Sequence, residues 1–174
     1  MSNYIENVIK DNPKVQELLD RDLNEDFFFW KNQLKQYTDT KDIKNIFDIG
    51  AYKGWWSFQI ARIFKNANYF LFEPTIDNNI FFLEQNAEII KNNGGNCKII
   101  NGLIGKEDKN IKFYESETEL GTGNSIYKEQ SSVKFNEVIK KMVRLDTVIT
   151  NHLSNIKPDL IKIDVQGAEL DVLK

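Results

Sequence analysis

The sequence predicts an α/β domain on a mainly parallel sheet, with a helical extension before it and an antiparallel excursion late in the chain. Three observations carry this. The run Ile46-Phe47-Asp48-Ile49 enters a glycine turn, Gly50 to Gly54, that opens a helical pattern. Tyr69-Phe70-Leu71-Phe72 is a continuous apolar run ending in Glu73-Pro74, as a strand buried on both faces would be. Further strand-like runs recur at Cys97 to Asn101 and Leu160 to Val165, with helical patterns between. A strand, turn and helix of the first kind typifies cofactor-binding α/β domains, where a ligand sits against the turn.

Composition narrows the class. A chain of 174 residues, 41% hydrophobic and 12% aromatic, has the length of one domain and the apolar material for a core. Its 23 basic and 26 acidic residues leave a net charge of -3, so no basic field points to a nucleic-acid partner. With one cysteine, Cys97, and one histidine, His152, an intrachain disulfide and a zinc cluster are excluded. Cys97 is expected to be a small hydrophobe on a strand, and His152 a solvated helix residue. The first residues carry polar and acidic side chains where a signal peptide needs an apolar core, and no apolar run is long enough to span a membrane, so a cytoplasmic location is expected.

Residues 1–42 read as a polar helical extension, with a break at Asn12-Pro13 and an apolar face of Val15, Leu18 and Leu19. The block Phe27-Phe28-Phe29-Trp30, with Leu34 and Tyr37 at helical offsets, is expected to pack over the edge of the main sheet. Residues 43–174 form the second unit. After the turn, Trp56, Ile60 and Ile63 recur at helical spacing until Asn66-Ala67-Asn68. Glu73 ends the second strand beside the turn, where a carboxylate can accept hydrogen bonds from a ribose diol. Capping of the next helix falls more naturally to Asp77. Ile76, Ile80, Leu83, Ala87 and Ile90 mark the apolar face of that helix, which Asn93-Gly94-Gly95 stops. The third strand ends at Asn101-Gly102-Leu103. Ile111 to Glu115 alternates, Glu119 to Ser125 is a polar glycine loop that reads equally as a cover over the site and as a plain surface loop, and Val143 to Val148 reads as a strand in an excursion at the sheet edge. Leu153 and Ile156 suggest a short helix. Leu160 to Val165 is the fourth core strand, ending around Asp164, and Gly167-Ala168-Glu169-Leu170 turns into a helix.

The residues now support a family resemblance. Asp48-Ile49-Gly50-Ala51-Tyr52-Lys53-Gly54 with Ser57, Phe72-Glu73-Pro74 with Asn86, and Leu145-Asp146-Thr147 leading to Asp159-Leu160-Ile161-Lys162-Ile163-Asp164-Val165-Gln166-Gly167-Ala168-Glu169 resemble the FkbM-type methyltransferases. The resemblance spans residues 46–174. It implies a Rossmann-like class I methyltransferase sheet and S-adenosylmethionine as cofactor. By that likeness Asp48, Gly50, Ala51, Tyr52 and Gly54 stand along the methionine part of the cofactor, Glu73 on the ribose, and Gly102 and Leu103 at the adenine. Asp164 would face the sulfonium and the acceptor, as a charge partner or as the base that takes the acceptor's proton. Tyr52 replaces the family's usual asparagine, so a side-chain contact to the cofactor is expected to be lost or replaced by ring stacking, and Gln166 replaces its usual glutamate, so no metal is expected. The resemblance also implies further helix and strands beyond Lys174, making the sheet incomplete at its C-terminal end.

The expected function is therefore O-methylation of a hydroxyl on a sugar or related small metabolite or glycan. An inactive cofactor-binding or interaction module on the same fold is the alternative from another class, and methyl transfer by the chain would exclude it. An NAD(P)-dependent oxidoreductase is disfavoured, because Gly50 and Gly54 are spaced G-x-x-x-G and the G-x-G-x-x-G turn is absent. A nucleic-acid methylase is more distant, since no Asn/Asp-Pro-Pro-aromatic motif occurs.

Overall fold

A computed structural model describes residues 25–34, 43–117, 123–128, 130 and 132–174. The expectations at Asn12-Pro13, Val15, Leu18, Leu19, Tyr37 and 119–122 lie outside these residues. Residues 25–34 are helical (α1). The remaining elements are β1 (Asn45–Ile49), α2 (Trp55–Ala61), β2 (Asn68–Glu73), α3 (Ile76–Asn92), β3 (Asn96–Asn101), β4 (Leu103–Ile104), β5 (Lys109–Ser116), β6 (Phe135–Val143), α4 (Leu145–His152), β7 (Leu160–Ile163) and α5 (Glu169–Val172).

The main sheet has four strands in the order β3-β2-β1-β7, and every pairing in it is parallel. Parallel strands need crossovers that cover both faces, which is why β1 and β2 read as unbroken apolar runs. Ile46, Tyr69 and Leu71 point to one face, against Ile60 and Phe64 after the turn and Leu83 and Ile90 of α3. Phe47, Phe70 and Phe72 point to the other, against Val148 of α4 and Val172 of α5. Leu83, Ala87 and Ile90 of the predicted apolar face are buried, whereas Ile80 is exposed; Ile76's side chain lies outside the described set. α1 packs on the first face through Trp30 and Leu34, where the edge of the sheet was expected, and Phe28 and Phe29 of the aromatic block are exposed. Cys97 is half-buried on β3, where burial pushes its thiol up to about 12, consistent with a packing role.

The excursion differs from the expectation in two ways. It is a separate sheet, ordered β4-β6-β5, and not an extension of the main sheet's edge. β5 and β6 pair antiparallel, while the two-residue β4 pairs parallel with β6. Secondly, the strand ends at Val143, and Leu145 onward is helix α4. Leu145, Val148 and Ile149 fall three and four apart and all reach the second core, a helical period that the β-branched Thr147 and Val148 disguise. The helix start is held from a distance. Asp108 accepts the Arg144 N–H at 2.7 Å and the Thr147 hydroxyl at 2.9 Å. The short helix expected at Leu153 to Ile156 is instead a turn, with Ser154 and Asn155 in left-handed conformation. His152 ends α4 exposed to solvent, as expected.

Candidate active site

The site is built where β1, β2 and β7 end side by side. Asp48 pairs in register with Leu71 and with Lys162, so their termini are level. The turn after β1 hangs on the end of β2: the N–H groups of Gly50 and Ala51 both donate to Phe72 O, at 3.0 and 2.9 Å. Next along, Tyr52 N–H donates to Glu73 Oε2 at 2.7 Å, and the Asn86 amide on α3 donates to Lys53 O at 2.8 Å. Gly50 adopts φ +78°, and a Cβ there would stand 2.0 Å from Asp164 O. Only glycine lets the turn lie so close to the end of β7.

Beneath the turn, Asp48 is fully buried. Its Oδ2 accepts the Ser57 hydroxyl at 2.8 Å, and its Oδ1 stands 3.0 Å from Lys162 Nζ. Burial pushes the Asp48 carboxyl up, against the opposing pull of the Lys162 ammonium. The same ammonium donates to Gly50 O at 2.7 Å and lies 3.7 Å from Asp164 Oδ2. Lys162 thus ties β1, the turn and the strand-end carboxylate together. Sequence reading assigned it no role; the signal was a lone lysine inside the apolar strand Leu160 to Ile163.

Six of the residues singled out from the sequence line one cavity: Gly50, Tyr52, Glu73, Gly102, Leu103 and Asp164. Asp48, Ala51 and Gly54 do not line it. Asp48 acts from below, through Ser57 and Lys162. A Cβ on Gly54 would meet Leu71, Leu83 and Asn86, so this glycine faces the packed core. Ala51 lines a second cavity on the other side of the turn, together with Trp30, Trp55 and Trp56.

Around Leu103 the wall of the first cavity is apolar. Leu103 packs with Phe113 and Met142 from the second sheet, and Ile126 joins them. Of the two readings of the glycine loop, cover or plain surface loop, its described part fits the first: Gly123, Asn124 and Ser125 line the cavity, followed by Ile126. Ser125 Oγ donates to Gln166 O at 2.8 Å, and the Tyr127 hydroxyl donates to Asp171 Oδ2 at 2.6 Å. Both bonds latch the loop to the segment after β7.

Glu73 serves more neighbours than expected. Besides the Tyr52 amide it accepts the Thr75 N–H at 2.9 Å and the Thr75 hydroxyl, both on Oε1. It therefore steadies the start of α3, the task expected of Asp77, which instead lies in the helix's first turn. Among the described residues Oε2 carries one of these bonds, so by the usual count of two lone pairs it can take one more donor.

The loop after β7 is shaped by Glu169, whose Oε1 accepts the N–H groups of Val165 (3.0 Å) and Gly167 (3.2 Å). Bonds from its own backbone N–H and from these amides hold its carboxyl below the usual range, against a smaller effect of burial. A depressed carboxyl stabilises the fold above its unfolded pKa and loses that contribution as pH falls through the folded value. Melting temperature should therefore drop on acidification below the ordinary carboxylate range, and Glu169→Gln should flatten that limb. An unchanged acid limb in the variant would remove Glu169 from this role. Gln166, in left-handed conformation, donates its side-chain amide to Asp164 Oδ1 at 2.9 Å.

Residues 48–174 match the methyltransferase FkbM domain. The chain belongs to the FkbM methyltransferase family. Comparison with curated proteins and with solved structures returns no match. For this FkbM-family chain, no helix among the described residues is long and apolar enough to cross a membrane. Among those residues, too, no cluster of three His, Cys, Asp or Glu side chains could hold a metal ion.

Proposed function

We propose that the chain is an S-adenosylmethionine-dependent O-methyltransferase acting on a hydroxyl of a sugar or related small metabolite. The observation that carries this reading is the single cavity in which Glu73, the Gly50 turn, the Leu103 wall and Asp164 converge. These residues suit the cofactor by its chemistry. Glu73 Oε2 has an acceptor position for a ribose hydroxyl, the Leu103, Phe113 and Ile126 wall is apolar enough for a purine ring, and the carboxylate of Asp164 favours a sulfonium. On this reading residues 43–174 are the methyltransferase domain, Rossmann-like in its parallel core, and residues 1–42 an N-terminal extension.

When bound, the cofactor would supply an electrophilic methyl group on a sulfonium to the acceptor oxygen, with a neutral thioether as the leaving group and the hydroxyl proton passing to a base. The protein's part is alignment and proton management. Lys162 and Gln166 hold the Asp164 carboxylate from two sides, so that it stands ready either to accept the hydroxyl proton or to steady positive charge.

A dinucleotide cofactor fits less well. The amides of Gly50, Ala51 and Tyr52 are already committed to Phe72 O and Glu73, and that of Gly54 to Ala51 O. A pyrophosphate at this turn would find four of its five N–H groups already bonded within the protein. Calorimetric titration of the folded chain with S-adenosylmethionine is the test. Saturable binding that NADH does not displace is expected, and absence of binding would overturn the reading.

A further inference from the structure

One wall of the first cavity is a strap, Gly123 to Ile126, held differently at its two sides. Toward the second sheet it is fixed through the backbone. Ser125 and Tyr114 of β5 exchange both main-chain hydrogen bonds, at 2.8 and 3.2 Å, and Asn124 Oδ1 accepts the Ser116 N–H at 2.7 Å. Toward the segment after β7 the strap is held, among the described residues, by two side-chain hydroxyls alone: Ser125 on Gln166 O and Tyr127 on Asp171 Oδ2. The Tyr127 ring is half-exposed, whereas Asp171 is buried. Lys106 at 3.2 Å and Lys174 at 3.8 Å also face that carboxylate, so removing the hydroxyl strands no buried charge.

Resting on the methyltransferase reading, we propose that the Tyr127–Asp171 bond is a latch: Tyr127 and Asp171 are positioning residues that set how fast the cofactor enters the first cavity and its demethylated product leaves. The strap's unequal attachment supplies the hinge. Its backbone pair with Tyr114 survives when the hydroxyl bonds break, so the strap can swing on β5 without unpairing β5 from β6. Swinging out would carry Ile126 off Leu103, Phe113 and Met142 and uncover the wall suited to the purine. A charge-assisted bond from a phenol to a carboxylate is strong enough to make such opening infrequent. Tyr127 and Asp171 do not themselves line the cavity. Their bond therefore contributes alike with the cavity filled or empty, slowing passage in both directions and leaving affinity nearly unchanged.

Binding kinetics of S-adenosylhomocysteine on the full chain, read by surface plasmon resonance, are the test. Tyr127→Phe keeps the ring and removes only the hydroxyl. It should raise the association and dissociation rate constants together, each roughly tenfold, and leave the equilibrium affinity within about threefold. Asp171→Asn, whose side-chain oxygen still accepts the bond without its charge, should give a smaller rise in both. Circular dichroism of each variant is the folding control. A merely structural role would weaken affinity through dissociation and leave association untouched. Unchanged rate constants in Tyr127→Phe, or faster dissociation without faster association, would overturn the latch while leaving the cofactor reading intact. Failure of S-adenosylhomocysteine to bind the unmodified chain would instead overturn the methyltransferase reading, and the latch with it.

Discussion

Replacing Glu73 with alanine is expected to weaken S-adenosylmethionine binding by about 1.5 to 3 kcal/mol, roughly ten- to 150-fold. The variant removes an acceptor for a ribose hydroxyl. It also releases the Tyr52 amide, so the turn that borders both cavities loses one of its ties to the end of β2 and keeps those of Gly50 and Ala51 to Phe72 O. Glu73→Gln separates these effects. Its amide oxygen can still accept a bond while the charge is gone, so an intermediate loss is expected. Isothermal titration of the three proteins is the measurement, and equal affinities would take Glu73 out of the site. Thermal melts run beside it should show a modest decrease for Glu73→Ala, because the Thr75 bonds at the start of α3 go as well.

Lys162→Met is expected to lower the stability of the fold by about 3 to 5 kcal/mol, seen as a melting temperature roughly 6 to 20 °C lower. Asp48 is fully buried, and without the ammonium it keeps only the Ser57 hydroxyl bond among the described residues. The sign of the pH dependence distinguishes this cause from lost packing. A carboxyl whose folded pKa is raised favours the native state when protonated, so stability falls as pH rises through the folded value and recovers on acidification. The Lys162→Met protein should therefore regain stability toward acid pH relative to the parent. Asp48→Asn combined with Lys162→Met should recover much of the loss even at neutral pH. A double variant as unstable as the single one would show that the ion pair is not what Lys162 contributes.

Much of the site was legible because strand ends in a parallel sheet fall at one edge. Once Ile46 to Ile49, Tyr69 to Glu73 and Leu160 to Ile163 are strands, Gly50, Glu73 and Asp164 must gather there, and the register confirms it. What escaped depends on contacts far apart in sequence. Lys162 gains its role only by lying opposite Asp48. Helix α4 begins where it does because Asp108, 36 residues from Arg144, holds its first turn; a local window sees only Leu145 to Val148, which reads equally well as a strand. Trp30 reads as plain packing. It does pack against Trp56, but it also lines the second cavity, and a spacing rule distinguishes no such double role.

Strand β7 is joined, among the described residues, to β1 alone, and Asp164 continues that ladder by donating its N–H to Ile49 O at 3.0 Å. Local opening of this strand would carry off Lys162 and Asp164 together and leave Asp48 without its countercharge. The fold thus makes the positioning of the strand-end carboxylate and the relief of the buried one a single cooperative unit. In amide exchange, Lys162, Ile163 and Asp164 should share one opening free energy, so that an Asp164 displaced by fraying never coexists with an intact ion pair below it.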